Sequence, residues 1–274
     1  MKNNLKTLII AEIGWNHMGD MSLAKKMIKS AKLNGADICK FQFWSEKNLK
    51  KGPWDKDGRR EIYKKAELNI EKLLSLKKFC KKNKIGFFTS VFSLEDAKKV
   101  KKIKMNMIKI PSHEIHNEEL IDYAHKNFKN ILLSCGACTK NELMKLVKKY
   151  KKSKKMTFMH CVSSYPLNKT DVNFPKMIKI KDLFKNFGYS GHYENIDDCY
   201  APIILGAKYL EKHFTINRNN PGRDNKFAIL PNQLKDLVTF RNNYFFMNID
   251  KGLGIQKCEK DIFRTYRGRW SKLN

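Results

Sequence analysis

Short apolar runs alternate along this chain with longer segments that have the apolar spacing of helices. Each run has polar residues suited to chemistry at or near its end. The runs are Thr7–Ile13, Ile38–Trp44, Gly86–Phe92, Met107–Ser112, Asn130–Cys135, Met156–Cys161, Phe187–His192 and Tyr209–Ile216. A strand-then-helix repeat of eight predicts an α/β fold, a (β/α)8 TIM barrel, whose chemistry lies at the carboxyl ends of the strands.

The segments between the runs carry helix signals. Apolar residues between positions 143 and 150 recur at three- and four-residue spacing, and lysines occupy the other face. Thr139 and Glu142 predict a capping box at the start of that helix. Ser93 predicts a similar start after the third run, and Gly35 marks the expected end of the first helix.

The length of 274 residues suits one barrel domain, which typically takes about 250 residues. We expect a single catalytic domain over residues 1–248, followed by a basic tail over residues 249–274 that is too short to fold alone. The polar stretch Ser45–Asn69 is long for a loop between strand and helix, and we interpret it as a lid over the site.

The formal net charge of +29 raises the question of nucleic-acid binding. The lysines are spread over nearly every helix, as in Lys98–Lys104 and Lys148–Lys155, and they do not form one stripe. We therefore expect solvated helix surfaces, salt-sensitive non-specific adhesion and no specific nucleic-acid partner.

The cysteine content and the length of the apolar runs indicate the compartment. The seven cysteines are scattered, and Cys135 and Cys138 form a lone C-x-x-C without a second pair. A reducing cytoplasm fits this usage better than a disulfide framework. The run Leu8–Ala11 meets Glu12 at once, and no run approaches the roughly 18 residues that cross a membrane, so we expect a cytoplasmic protein without a membrane partner.

Two lysines lie inside apolar strands, Lys40 in the second run and Lys109 in the fourth. Burying an ammonium group is costly unless an anion meets it, so the pair predicts a phosphate or carboxylate ligand. Serine hydroxyls at the same rim would add donors to that anion.

His192 and His213 end the last two strands, where neutral imidazoles can bind a divalent metal and leave positions open for substrate and water. Glu12, on the first strand, supplies a carboxylate suited to proton transfer.

Several motifs in the predicted barrel together resemble those of the sialic acid synthases. They are Ala11-Glu-Ile-Gly-Trp-Asn-His-Met-Gly-Asp20, Lys40-Phe-Gln42, Lys109-Ile-Pro-Ser-His-Glu114, Leu133-Ser-Cys-Gly136, His160-Cys-Val-Ser-Ser-Tyr-Pro166, Gly188-Tyr-Ser-Gly-His192, Glu211-Lys-His-Phe-Thr215 and Pro221-Gly-Arg-Asp224. The resemblance runs from about residue 7 to 240 in the family's order. It implies condensation of phosphoenolpyruvate with an open-chain N-acyl-hexosamine aldehyde, such as N-acetylmannosamine or a bacterial relative, to give a nonulosonic acid and phosphate.

The resemblance also implies roles for individual residues. Phosphoenolpyruvate would be held by Lys40, Ser90, Lys109, Ser112, Ser134, Ser163 and Ser190, and the sugar would be contacted by Gln42, Tyr165, Glu211 and Asp224. His192 and His213 would hold Mn²⁺ or Mg²⁺, which polarises the aldehyde. Glu12 would transfer protons at the developing alkoxide and at the attacking water.

The chain departs from the family pattern at two site positions. Gly191 stands where the family usually has Asp before the first metal histidine, so a carboxylate that orients the imidazole is expected to be missing. Arg223 replaces the second proline of Pro-Gly-Pro-Asp and places a cation near the sugar, which indicates an unusual acceptor.

Many family members continue into an antifreeze-like domain that lends an arginine to the active site of a partner subunit. This chain ends at Asn274, so we expect that domain to be absent or encoded as a separate chain. Arg264, Arg267 and Arg269 of the tail could replace that contact in cis or across a homodimer, although we favour a solvated basic tail.

Two other functions fit the same residues. One is a homologue that binds sugar or phosphoenolpyruvate but has weakened or lost turnover, which the departures at Gly191 and at the chain end would explain. The other is a Schiff-base aldolase that uses Lys40 or Lys109, because a desolvated lysine can act as a covalent nucleophile.

Overall fold

The structure is a computed structural model and describes residues 6–270. Its centre is a closed barrel of eight parallel strands in sequential order, which confirms the predicted TIM barrel. The strands are β1 Leu8–Gly14, β2 Ile38–Phe43, β3 Gly86–Val91, β4 Met107–Ile110, β5 Asn130–Ser134, β6 Met156–His160, β7 Phe187–Gly191 and β8 Tyr209–His213.

Helices surround the barrel. They are α1 Met21–Leu33, α2 Arg59–Ala66, α3 Ile70–Lys82, α4 Leu94–Lys102, α5 Glu118–Asn127, α6 Lys140–Tyr150, α7 Phe174–Leu183, α8 Tyr200–Ile204, α9 Pro231–Met247 and α10 Lys260–Thr265. The apolar sides of the larger helices are buried, as Leu120, Ile121 and Ala124 of α5 show, while lysines cover the outer sides. Such covering by helices is typical of parallel sheets, whose two faces are both buried.

Local sequence signals account for several helix ends. Thr139 and Glu142 form the expected capping box, in which the Glu142 amide donates to Thr139 Oγ1 at 3.2 Å and the Thr139 amide donates to Glu142 Oε2 at 2.7 Å. The Asp96 amide donates to Ser93 Oγ at 3.1 Å and starts α4. Gly35 follows α1 with a φ of +86°, which a residue with a side chain adopts only under strain.

Strand register brings the polar strand ends to one level. Glu12 of β1 is paired with Lys40 of β2 on one side and with His213 of β8 on the other. Ser90 is paired with Lys109, and Ser190 with Glu211. Because side chains alternate between the two faces of a strand, this register points the reactive groups into one end of the barrel.

The stretch expected as a lid contains α2 and short 3-10 turns at Glu46–Asn48 and Pro53–Asp55. Tyr63 of α2 stacks on Trp15 beyond the end of β1, with ring centroids 5.1 Å apart. The segment therefore covers the carboxyl end of the barrel, although its role as a lid stays a prediction.

Helix α9 lies near the end of the barrel at which strands β1 and β2 begin. Arg241 donates to the carbonyl of Thr7 and to Asp37 Oδ2, both at 2.7 Å, and so ties α9 to the start of the barrel. Beyond Met247 nearly every described residue is exposed, including α10. Within residues 6–270, none of the helices is both apolar and long enough to cross a membrane.

Candidate active site

Four buried charged side chains form a chain of ion pairs inside the barrel. Lys40 Nζ lies 2.7 Å from Glu12 Oε2 and 3.6 Å from Glu211 Oε1. Lys109 Nζ lies 2.7 Å from the same Glu211 oxygen. The side chains of all four are less than one tenth exposed, so solvent screens these charges poorly. The two lysines thus face a common anion, which in this structure is the carboxylate of Glu211.

Serine hydroxyls complete the coordination of the two ammonium groups. Lys40 donates to Ser90 Oγ at 2.9 Å, and Lys109 donates to Ser190 Oγ at 3.1 Å. Ser190 in turn donates to Glu211 Oε1 at 3.2 Å. The predicted sugar contact by Glu211 is not tested by these distances, which place its carboxylate among the residues predicted to hold phosphoenolpyruvate.

The other predicted serines lie on β5 and on the segments after β4 and β6. Ser112 Oγ and Ser163 Oγ are 2.7 Å apart and share a hydrogen bond. Ser134 is buried beside the Cys161 thiol. Gly136 lets the segment after β5 approach the segment after β6, because a Cβ at residue 136 would lie 2.6 Å from Ser163 Oγ.

His192 and His213 lie side by side, with ring centroids 5.7 Å apart. His192 Nδ1 lies 2.6 Å from the carbonyl of Val162, a contact that a protonated Nδ1 donates and that leaves Nε2 as the unprotonated nitrogen. Within the described part of the chain, His213 Nδ1 has no hydrogen-bond partner, and it lies 3.5 Å from Asp224 Oδ2. Burial lowers the pKa of His192 to about 4 and also lowers that of His213, so both imidazoles are neutral at pH 7.

The pKa values of the buried carboxyl groups are shifted in different directions. Burial raises the pKa of Glu12, an effect that the Lys40 ammonium opposes and the Glu211 charge reinforces. Burial also raises the pKa of Asp224, to about 6. Glu211 is buried too, but Lys109 and Lys40 outweigh burial and hold its pKa below the ordinary value. Glu12 can therefore hold a proton more readily than Glu211, as an acid and base must.

An aromatic wall encloses the imidazoles. Tyr165 lies over His192 with ring centroids 4.2 Å apart, and Phe227 packs against His213 at 5.1 Å. On the other side, Trp15 donates its indole N–H to Asp224 Oδ2. Asp224 is thereby held beside His213.

Gln42 contacts the predicted acid and base, Glu12, because its side-chain amide donates to Glu12 Oε1 at 2.9 Å. The predicted acid, the anion-binding lysines and the predicted metal histidines therefore all lie at one end of the barrel, as the strand-end positions indicate. Their individual roles stay predictions.

Neither Trp15 nor Tyr63 is among the site residues predicted from the sequence. Trp15 follows the first strand directly, but Tyr63 comes from α2 within a polar stretch. The sequence predicts only ordinary surface packing for an aromatic residue in such a helix. The stack of Tyr63 on Trp15 is visible only in the structure.

The donor set fits a divalent metal at the two imidazoles. Both rings are neutral, and His213 Nδ1 is a buried nitrogen that finds no partner among residues 6–270. Among residues 6–270, no group of three or more His, Cys, Asp or Glu side chains is arranged to hold an ion. A site with two histidine ligands would leave coordination positions open for water and substrate.

Known proteins are similar to this chain in both sequence and fold. It is 37% identical over 250 residues to the N,N'-diacetyllegionaminic acid synthase of Campylobacter jejuni, which covers 85% of this chain and 75% of that protein. It is 32% identical to the pseudaminic acid synthase of Helicobacter pylori, over 84% of this chain and 72% of the relative.

A solved structure has the same architecture. The crystal structure of the N-acetylneuraminic acid (sialic acid) synthetase of Leptospira borgpetersenii, in complex with citrate, superimposes with a TM-score of 0.86 at 30% identity. The match covers 98% of this chain and 96% of that chain. The NeuB family model matches residues 27–248, which include seven of the eight strands. The chain therefore belongs to the NeuB family.

Proposed function

We propose that this protein condenses phosphoenolpyruvate with the aldehyde of an N-acyl-hexosamine, giving a nonulosonic acid and inorganic phosphate. The observation that carries the proposal is the buried cluster of Lys40, Lys109, Glu12 and Glu211 beside two neutral imidazoles. Membership of the NeuB family and the likeness to three differently named nonulosonic acid synthases support it.

The two lysines and the serines would bind phosphoenolpyruvate. Its phosphate and carboxylate would bind the ammonium groups of Lys40 and Lys109. Glu211 already holds these two ammonium groups at one level of the barrel. Further hydroxyl donors would come from Ser90, Ser112, Ser134, Ser163 and Ser190. Because Glu211 holds the lysines before substrate binds, little of the binding energy is spent on ordering them.

Glu12 would move the protons. As C3 of phosphoenolpyruvate forms a bond to the aldehyde carbon, the aldehyde oxygen becomes a hydroxyl and takes a proton from Glu12. Water then adds to C2 and gives one proton back to Glu12. The C2–O bond to phosphate breaks as the new C2 hydroxyl becomes a carbonyl, and the proton of that hydroxyl leaves with the phosphate. Lys40 and Gln42 hold the carboxyl group for both transfers at 2.7 and 2.9 Å.

His192 and His213 would hold Mn²⁺ or Mg²⁺. When bound there, the ion would polarise the aldehyde oxygen as a Lewis acid. The hydrogen bond from His192 Nδ1 to Val162 selects the tautomer that can ligate through Nε2.

The sugar would lie between the imidazoles and α2. Gln42, Tyr165 and Asp224 would border this space, with Trp15 and Tyr63 on its outer side. The acceptor is N-acetylmannosamine or a bacterial relative such as a diamino sugar, and Glu211 would contact it from below the anion site.

The setting we propose is the cytoplasm, because the cysteines of the described residues are all free and Cys258 is exposed. Residues 1–248 would act as the catalytic domain. The exposed tail over residues 249–270 would be available to a second subunit or to a separate antifreeze-like domain.

Phosphate release decides between turnover and binding alone. Purified protein is incubated with phosphoenolpyruvate, Mn²⁺ and a panel of N-acyl-hexosamines, and products are identified by mass spectrometry. We expect phosphate and a nine-carbon acid with one acceptor, and a loss of about 10²-fold or more in kcat for Glu12→Gln. A rise in melting temperature with phosphoenolpyruvate, but no product from any acceptor, would instead identify a binding homologue.

The ion pairs argue against the Schiff-base aldolase. Lys40 and Lys109 are each paired with a carboxylate, whereas a nucleophilic lysine must lose its proton. Borohydride treatment with pyruvate should therefore trap no adduct on either lysine, and chelation of metal should abolish activity.

A further inference from the structure

A second buried ion pair lies on the outer side of β7 and β8, behind the imidazoles. Lys212 Nζ lies 3.1 Å from both carboxylate oxygens of Asp198, and the two side chains are 2% and 1% exposed. The Tyr189 hydroxyl donates to Asp198 Oδ2 at 2.9 Å. The proposed chemistry uses none of these groups, and a buried ion pair is by itself weak evidence for a role in stability.

Asp198 occupies the space in front of Gly191. A Cβ at residue 191 would lie 2.3 Å from Asp198 Oδ2, closer than real atoms approach. The sequence led us to expect no carboxylate here, because Gly191 stands where the family usually has Asp. In the structure, a carboxylate from the 3-10 turn Asp197–Cys199 reaches the position that a side chain on β7 would fill, and it contacts Lys212 and Tyr189.

Lys212 links this carboxylate to both histidine-bearing strands. It is paired with Gly191 in the β7–β8 register and directly precedes His213. Its ammonium group also donates to the carbonyl of Tyr193, the residue after His192, at 2.5 Å. One ammonium group thus ties the backbone on the carboxyl side of His192 to the strand that carries His213.

We infer that Asp198 is a positioning residue, a relocated carboxylate that holds Lys212 and so sets the spacing of the His192 and His213 imidazoles for the divalent ion. The inference rests on the proposed function for the ion but concerns residues outside the reacting groups. Gly191 is then a requirement of the arrangement, because only glycine leaves room for Asp198.

Paired variants test the relocation. Asp198→Asn keeps the shape and removes the charge, and Asp197→Asn is the matched control, since Asp197 makes only an exposed pair with Lys169. Mn²⁺ affinity is measured by electron paramagnetic resonance without substrate, beside the imidazole ¹H–¹⁵N resonances of His192 and His213 without metal. We expect Asp198→Asn to weaken Mn²⁺ binding by about tenfold and to shift both imidazoles, while Asp197→Asn changes neither.

Returning the carboxylate to the strand gives the decisive rescue. Gly191→Asp alone should disrupt the site by collision with Asp198, whereas Gly191→Asp combined with Asp198→Gly should recover Mn²⁺ affinity to within about threefold of the starting protein. If Asp198→Asn does not fold, this double variant still decides, because a folded double variant that binds Mn²⁺ supports the relocation.

Two results would overturn the inference: a folded Asp198→Asn protein with unchanged imidazole resonances, or a double variant no better than Asp198→Gly alone. Failure of the proposed metal role looks different. In that case the starting protein itself binds no Mn²⁺, and the imidazole resonances of the variants alone judge the positioning role.

Discussion

Lys109 Nζ and Glu211 Oε1 lie 2.7 Å apart inside the barrel, although the two residues are separated by 102 positions in the chain. The same oxygen lies 3.6 Å from Lys40. An internal carboxylate thus stands between the two ammonium groups that are expected to meet a substrate anion. Lysines held in this way are ready for substrate, but each depends on its partner for stability.

Removing Lys109 should therefore cost both stability and substrate binding. We expect Lys109→Met to lower the free energy of unfolding by about 3 kcal/mol, because it leaves the Glu211 carboxylate buried with one partner fewer. The double variant Lys109→Met/Glu211→Gln should regain part of that loss without regaining phosphoenolpyruvate binding. Urea unfolding and calorimetric titration measure the two effects.

A surface pair provides the control for Lys109. Lys149 is paired with Asp122 and both side chains are 47% exposed, so Lys149→Met should cost less than about 1 kcal/mol. Equal losses for Lys109→Met and Lys149→Met would contradict the buried role of the first pair.

The metal site should depend on two histidines and not on a third buried one. His192→Gln and His213→Gln should each weaken Mn²⁺ binding by about 100-fold, because each would remove one of the two proposed protein ligands. His160→Gln is the control, since His160 is fully buried but its Nε2 is bonded to the Val172 carbonyl. Mn²⁺ titration of the three variants, with circular dichroism to confirm folding, would disprove the assignment if His160→Gln behaved like the other two.

Stability should fall in mild acid because of His17. Burial lowers the pKa of His17 to about 4, whereas the unfolded chain has the ordinary value of 6.5. Between these values the unfolded state binds a proton that the folded state does not, so stability falls as pH drops from 6.5 and the loss is complete below about 4. The contribution should be about 3 kcal/mol.

Variants isolate the His17 contribution. Urea unfolding at pH 7 and at pH 4 should show a smaller drop for His17→Gln than for the starting protein. His116→Gln removes an exposed imidazole and should leave the drop unchanged. A drop of the same size in all three proteins would assign the acid sensitivity to other groups.

Arg223 should influence the choice of acceptor. Arg223 is exposed and lines an open cavity of about 750 Å³ together with Arg218 and Lys226. The next residue in the chain is the buried Asp224, whose carboxylate lies 3.5 Å from His213 Nδ1. Arg218 is already committed to the carbonyls of Ala228 and Glu194. Arg223 is therefore better placed than Arg218 to bind an anionic group on the sugar.

Replacing Arg223 with proline, the usual family residue, tests this role. We expect Arg223→Pro to raise KM by about tenfold for an acceptor that carries a phosphate or carboxylate, and to leave KM for neutral acceptors unchanged. Arg264→Ala, in the exposed tail, serves as the control. Parallel KM changes for charged and neutral acceptors would show that Arg223 only shapes the loop.

Much of this protein could be predicted from local pattern. The eight apolar runs, the caps at Ser93 and Thr139, and the stop at Gly35 all depend on residues a few positions apart, and the structure confirms each. Strand-end positions likewise predicted which polar residues would share the mouth of the barrel, because all parallel strands end at the same side.

Tertiary structure alone decided which of these groups are partners. The sequence gives no sign that Glu211 stands between Lys40 and Lys109, that Tyr63 stacks on Trp15, or that Asp198 fills the space beside Gly191. These contacts arise from barrel closure and strand register, which bring together residues far apart in the chain. Hydrophobic periodicity determines that a strand or helix forms and which face is buried, whereas the pairing of buried charges is determined only when the packed elements exclude water from between them.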